Sequence, residues 1–460
     1  MTMSSNFYNF PSVSSKAWKQ QIQAGLKGED YNEKLVWEGA DHIKVKPFYN
    51  SEDLNQQPPH HIVTPKSWKI GQIFYVQDAK AANKKACDAL LRGADSLYFI
   101  LPSPETKTEE LLQGIDLLTV PIHLELQFAS SEFIEKITTY KIPENASFFI
   151  HMDVLGSLAR TGNWQHSMEK DLAYMVQMAN DLPNLQTVTI DGALFQNAGA
   201  NRVQQLAYTM AQANEYLNLF SSQQFPVSMP EPVFKVAVDS DYFFEIAKLR
   251  ALRLLWETLA SAYNAPKTCH IIAQPSKRNK TLYEFNANLL RTTTECMAAI
   301  NGGADTICNL PYDAIYHKEN EFGERIARNQ LLILRNESYF GVVSNPADGA
   351  YYLETLTDQL AEKALQLFKN LEASGGFLKS LKQHTIQKKI REQAEKDQLQ
   401  FERGERVLVG SNAYLNPSET MKENIEIYPF LKTKQEKTLI EPILEKRLAE
   451  TVELKRLNNE

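Results

Sequence analysis

The chain is 460 residues long, 43% hydrophobic and 23% charged, with a formal net charge of −7. That length is too great for one average domain and is enough to bury a sizeable core. The acidic balance, without a basic cluster interleaved with aromatics, argues against a nucleic-acid binder, and no uninterrupted apolar run of about 18 residues offers a membrane span.

The opening run MTMSSNFYNFPSV lacks the basic and apolar stretches of a secretory signal. Glu29 and Asp30 come well before the first arginine, Arg92, which is the wrong order for a mitochondrial presequence. The expectation is a cytoplasmic protein. Ser15 is placed to cap a helix from Lys16 to about Leu26, with Gly28 as its stop. Residues 43–47 alternate like an exposed strand, and Pro58-Pro59-His60-His61 reads as irregular. Residues 1–66 are too thin for a core of their own. They read as an arm, which either reaches a partner chain or folds back on its own.

From Trp68 the pattern becomes regular. Strand patterns occur at 70–76, 96–101, 122–128, 147–153, 187–191, 234–239, 268–274 and 306–309. Helical patterns follow each, at 79–92, 108–113, 131–140, 167–180, 201–221, 242–263, 284–300 and 322–335. Eight strands alternating with eight helices predict an α/β fold, a parallel (β/α)8 TIM-type barrel over residues 67–345. Residues 346–460 read as a mostly helical C-terminal extension. It holds an amphipathic helix over 351–371, a second over 377–403 with a densely charged face, and a surface helix over 440–454.

The four cysteines, Cys87, Cys269, Cys296 and Cys308, form no CxxC pair. Three lie in apolar runs and read as reduced, buried thiols, so no zinc site is expected. His151-Met-Asp153 reads as a mouth-lining polar pair without partners, and His123 with Glu125 as a polar layer inside the barrel. Lys388, Lys389 and Arg391 read as part of a solvated helix face.

Residues 187–222, TVTIDGALFQNAGANRVQQLAYTMAQANEYLNLFSS, organise the chain. A β-branched strand breaks at Asp191-Gly192, a loop follows, and a helix begins near Gly199 with Val203, Leu206, Ala207, Met210 and Ala211 at helical spacing. In a parallel barrel, the loop after a strand is where active sites are built.

This stretch resembles the adenosylcobalamin-dependent acyl-CoA mutases, above all the methylmalonyl-CoA mutases. Their catalytic chains read roughly Ser-Gly-Tyr-His-x-x-Glu-Ala-Gly-Ala here; Ala198-Gly199-Ala200 and the helix over 204–217 match closely. Other segments resemble the family in the same order: FFEIAKLRALRLLW at 243–256, RTTTECMAA at 291–299, the helix containing Arg325-Ile-Ala-Arg-Asn329, and NPADGAYY at 345–352. The resemblance runs from about Trp18 to Leu415 and implies the same barrel.

The departures fall at the family's functional positions. The Tyr-His pair falls on Ala193 and Leu194, and the glutamate on Asn197. A Gln-Thr-Ser-Gly-Trp run becomes Gln274-Pro-Ser-Lys-Arg, keeping Ser276 but placing Lys277 and Arg278 beside the implied substrate channel. A second functional histidine falls on Cys308, and the first strand's tyrosine on Ile73, with Tyr75 the nearest stand-in. Leucine cannot polarise a thioester carbonyl, which needs a positioned donor. Ile73, Ala193, Leu194, Gln274, Ser276 and Cys308 therefore read as positions of a vestigial pocket, and no catalytic, cofactor or metal residue is assigned. The family's cobalt-ligating Asp-x-His-x-x-Gly pattern occurs at none of the nine histidines. The sequence after Leu415 is too short for a flavodoxin-like cobalamin-binding domain.

The resemblance thus implies a small, non-catalytic subunit of a heterodimeric mutase that isomerises methylmalonyl-CoA and succinyl-CoA. Adenosylcobalamin and the acyl-CoA are expected on the large catalytic partner, which the arm would contact. Two other readings remain: an active acyl-CoA isomerase chain serving a separate cobalamin-binding subunit, which should have kept the histidines and tyrosine, and a free-standing acyl-CoA-binding barrel.

Overall fold

The computed structural model describes residues 13–54, 62–222, 228–431 and 437–460; Pro58-Pro59-His60-His61 lies outside them. Eight parallel strands close into a barrel in chain order: β1 (Lys69–Tyr75), β2 (Ser96–Leu101), β3 (Ile122–Leu126), β4 (Phe148–Met152), β5 (Gln186–Asp191), β6 (Val233–Val238), β7 (His270–Pro275) and β8 (Thr306–Ile307). The predicted strands match these within two residues at either end. The ring is sealed where β8 pairs with β1, Thr306 against Lys69 and Ile307 against Ile70. Gly71 permits that approach, since a Cβ there would stand 2.5 Å from Cys308 Sγ.

Alternate strand residues serve different cores. Leu97, Phe99, Leu124, Ile150, Ile190, Phe234 and Ile271 pack outward into the main core. Their neighbours Tyr98, Phe149, Val233, Ile272 and Cys308 form a separate cluster inside the barrel. Polar residues that interrupt the apolar strands, among them His123, Glu125, Asp191 and Lys235, share that inward parity. Two unpredicted helices follow strands at the C-terminal mouth, Val154–Thr161 after β4 and Ala193–Ala198 after β5.

The arm has two parts. Its helix Ser15–Gly25, capped by Ser14 rather than Ser15, buries none of its residues. Beyond it the chain turns back: Trp37–Glu38 pairs antiparallel with Lys44–Val45, and Ile43 enters the main core. Asp41, in the turn between them, accepts from Arg202 N at 2.7 Å and pairs with the Arg202 guanidinium at 2.7 Å. It thereby serves the exposed start of the helix Arg202–Phe220.

In the C-terminal extension, the helix Tyr351–Ala373 packs on Arg202–Phe220 and Tyr242–Tyr263. The single helix expected over 377–403 is two, Gly376–Lys382 and Thr385–Glu402, because His384 adopts a left-handed conformation (φ +59°) that no continuing helix allows. The helix expected over 440–454 is also corrected: it begins only at Glu450. Pro442 supplies no N–H and disfavours the helical region at Glu441. Residues 437–448 form instead an irregular strap that buries Ile440, Ile443, Arg447 and Leu448. No helix among the described residues is long and apolar enough to cross a membrane.

Candidate functional site

Barrel chemistry belongs at the C-terminal ends of the strands. Here the strap crosses that mouth. Leu439 N and Ile440 N donate to Gly162 O, and Ile443 N to Ala159 O, all beside β4. Lys446 N donates to Asn197 O after β5, and Leu448 N to Arg278 O after β7. Gly162 has φ +79°, and a Cβ there would lie 2.6 Å from Ile440 O, so the first contact requires glycine.

Beneath the strap, side chains from opposite walls meet. Phe149 of β4 and His270 of β7 have ring centroids 4.5 Å apart, and His123 stacks on Phe149 at 4.4 Å. Lys235 of β6 reaches across to Glu125 of β3 at 2.6 Å and to Asp191 of β5 at 3.5 Å. Arg160 pairs with Asp191 at 3.0 Å, and Tyr98 OH donates to Glu125 at 2.5 Å. Burial alone would raise both carboxylates. For Asp191 it is outweighed by Lys235 and Arg160, and for Glu125 by Lys235 and Tyr98, so both are held below the usual carboxylate range. Lys235 is likewise held above the usual lysine range by Asp191 and Glu125, despite burial.

His151 was expected to lack partners; the structure corrects this. Its Nδ1 lies 2.8 Å from Thr189 Oγ1 and its Nε2 3.0 Å from His123 Nδ1. Burial pushes both imidazoles well below the ordinary histidine value, so they are neutral. Asp153 is equally committed. It accepts from Gly156 N (2.8 Å), Asp191 N (2.8 Å), Gln212 Nε2 (2.6 Å) and Tyr216 OH (2.6 Å). A cavity of about 300 Å³ remains between the ends of β3, β4, β5 and β6, with Gln127, Arg160, Asn163 and Lys235 in its lining.

The six positions read from the sequence as a vestigial pocket do not converge on one pocket. Ile73 and Cys308 join the inner cluster, and burial pushes the Cys308 thiol up to about 12. Leu194 is fully buried in the main core, and Ala193 N donates to Asp191. Ser276 donates to Asn197 Oδ1 at 3.1 Å, while Gln274 is half-buried at the end of β7. Arg278 donates to Lys446 O at 3.0 Å and faces Asp397 at 3.5 Å, anchoring the strap. Tyr75 is about half exposed at the end of β1.

A family model described as methylmalonyl-CoA mutase matches residues 105–459. The chain belongs to the methylmalonyl-CoA mutase family. It is 32% identical over 454 residues to the methylmalonyl-CoA mutase small subunit of Porphyromonas gingivalis, covering 92% of this chain and 73% of that one. The small subunit of Streptomyces virginiae is 28% identical, with 83% and 67% covered, and the methylmalonyl-CoA mutase of Escherichia coli is 30% identical, with 89% and 65% covered.

Each described histidine of this mutase-family chain has a partner within the chain. His123 and His151 are bonded within the barrel, His270 pairs with Thr306, His42, His166 and His317 pair with Glu38, Asp171 and Asp313, and His384 accepts from Glu441 N. Among the described residues no cluster of three His, Cys, Asp or Glu is arranged to hold a metal ion. No step through cobalamin is therefore assigned to these residues. What sequence reasoning missed is the ion network around Lys235 and the strap. Both left a signal: a lone charge at an inward position of the apolar run VFKVAV, and a proline inside a supposed helix.

Proposed function

We propose that this chain is the small, non-catalytic subunit of a heterodimeric methylmalonyl-CoA mutase. The assembly would interconvert methylmalonyl-CoA and succinyl-CoA by adenosylcobalamin radical chemistry, with cofactor, substrate and catalytic residues on the large partner. The observation that carries this reading is the occupied lumen. Phe149 meets His270 across the axis, and Lys235 crosses from β6 to bind Glu125 on β3. A thioester threaded along the axis would have to displace both contacts. Relatives named small subunits support the role, and a homologous barrel gives a catalytic chain a pseudo-symmetric surface to pair with.

The test is size-exclusion chromatography with light scattering on the chain alone and co-expressed with the large subunit, following cobalamin absorbance and turnover. The expected result is a one-to-one complex, coloured and active only when the partner is present. Colour or turnover in the chain alone would overturn the reading, as would a colourless homodimer that ignores the partner.

A further inference from the structure

Glu445 lies at the middle of the strap, between the residues tied to β4 and those tied to β7. Asn197 Nδ2 donates to its Oε1 at 2.9 Å, and the next residue's N–H donates back to Asn197 O at 3.1 Å. Asn197 is itself fixed by Ser276 Oγ and Lys277 N, both donating to its Oδ1 at 3.1 and 3.0 Å. The amide can therefore present its N–H₂ only toward the strap. Arg160 lies in the lining of the cavity on one side of Glu445; a second cavity of about 390 Å³ includes Glu445 itself, with Lys277, Tyr428 and Phe430. Burial would lower the Arg160 pKa, but Asp191 and then Glu445 raise it, so the strap carboxylate contributes to the field at that guanidinium.

We propose that Glu445 is a tethered carboxylate ligand of the barrel mouth, delivered by the strap to Asn197 and closing the mouth against free anions. The strap is then a plug held by this carboxylate, by Arg447, whose guanidinium donates to Lys280 O at 3.0 Å, and by its backbone. A charge-assisted hydrogen bond to a preorganised donor is the strong element of such a latch. Removing the side chain would leave a carboxylate-shaped vacancy with its donor in place. The proposal does not depend on turnover or on partner binding, so its failure would leave the subunit reading standing.

The experiment compares the full chain with Glu445→Ala by thermal unfolding in sodium propionate and in sodium chloride of equal ionic strength. Exchange of the strap amides of Leu439, Ile440, Ile443, Lys446 and Leu448 is followed in parallel. The expected result is a lower melting temperature and at least tenfold faster strap exchange in Glu445→Ala. Propionate should restore both saturably, chloride should not, and the parent should respond to neither. Asn197→Ala removes the donor but keeps the carboxylate: its strap should loosen without rescue by propionate. Should the alanine variant of Glu445 fail to fold, Glu445→Ser, which also removes the carboxylate, gives the same comparison. Unchanged strap exchange overturns the proposal. So does loosening that propionate does not reverse, or an equal response of parent and variant.

Discussion

Lys235 shows how much one side chain carries in this barrel. It is flanked by Glu125 at 2.6 Å and Asp191 at 3.5 Å, all three inside the strands. Replacing one partner of a buried ion network leaves the other charges desolvated and uncompensated, at a cost of about 3–5 kcal/mol. Lys235→Met should lose about that much in urea unfolding, whereas Lys235→Met combined with Glu125→Leu and Asp191→Asn should recover part of the loss. A single variant as stable as the parent would mean the network contributes packing only. The histidines set a second residue-scale expectation. His123, His151 and His270 all have native pKa values lowered by burial, and His123 Nε2 is buried with no hydrogen-bond partner among the described residues. At these three positions the unfolded chain therefore binds more protons than the native one below about pH 6.5. Their contribution to stability is complete above that pH and falls as the pH drops below it, by up to about 1.4 kcal/mol per pH unit for each histidine. Asp191 and Glu125, whose native values are depressed, add a further loss only near and below about pH 4. Glu295, raised by burial to about 7, works in the opposite sense, so the histidine contribution is read as a difference: between pH 6.5 and 5 the urea midpoint of the parent should fall relative to that of His151→Gln, and a constant difference over this range would contradict it.

At the scale of elements, the sequence reveals what local periodicity controls. The barrel strands and the helix Tyr242–Tyr263 have apolar spacing that no distant contact needs to correct. The mouth was less legible, because its residues are defined by partners far away in the chain. Nothing near Arg278 announces that it serves Lys446 and Asp397, 168 and 119 residues on. Asn197, read only as a lost glutamate, is the bracket on which the strap hangs. The strap itself was read as a helix because its apolar residues have helical spacing, although Pro442 forbids the continuous hydrogen-bond ladder such a helix needs. Its docking at Gly162 gives an element-scale prediction. Gly162→Ala introduces a Cβ at positive φ and within 2.6 Å of a strap carbonyl, so strain and displacement add. We expect a loss of about 1–3 kcal/mol and faster amide exchange at Leu439 and Ile440, with exchange in the barrel strands unchanged. If those two amides stay as protected as in the parent, the strap is not held where this contact places it.

The whole molecule presents the arm as a divided device, which changes what deletion should do. Removing residues 1–28 takes away a helix that buries none of its own side chains, with Trp18 53% and Val13 61% exposed. Removing residues 1–66 also takes away the buried Tyr31, together with Asp41, which binds Arg202, and Ile43, which enters the main core. Arg202 would keep Asp241 at 3.1 Å and Glu245 at 2.8 Å but lose Asp41, which also serves its backbone N–H. The longer deletion should therefore lower the melting temperature of the isolated chain by several degrees, and the shorter one should leave it within about a degree. An arm made to reach a partner should show the opposite weighting in the assembly. The shorter deletion, nearly silent in isolation, should weaken pairing with the large subunit at least tenfold, about 1.4 kcal/mol. Titrating the two deletion forms against the large subunit separates these effects, because a loss of affinity without a loss of stability can come only from contacts the isolated chain does not make. If the 1–28 deletion pairs as tightly as the parent, the exposed helix is not a partner contact, and the arm acts through Asp41 and Ile43 on its own barrel alone.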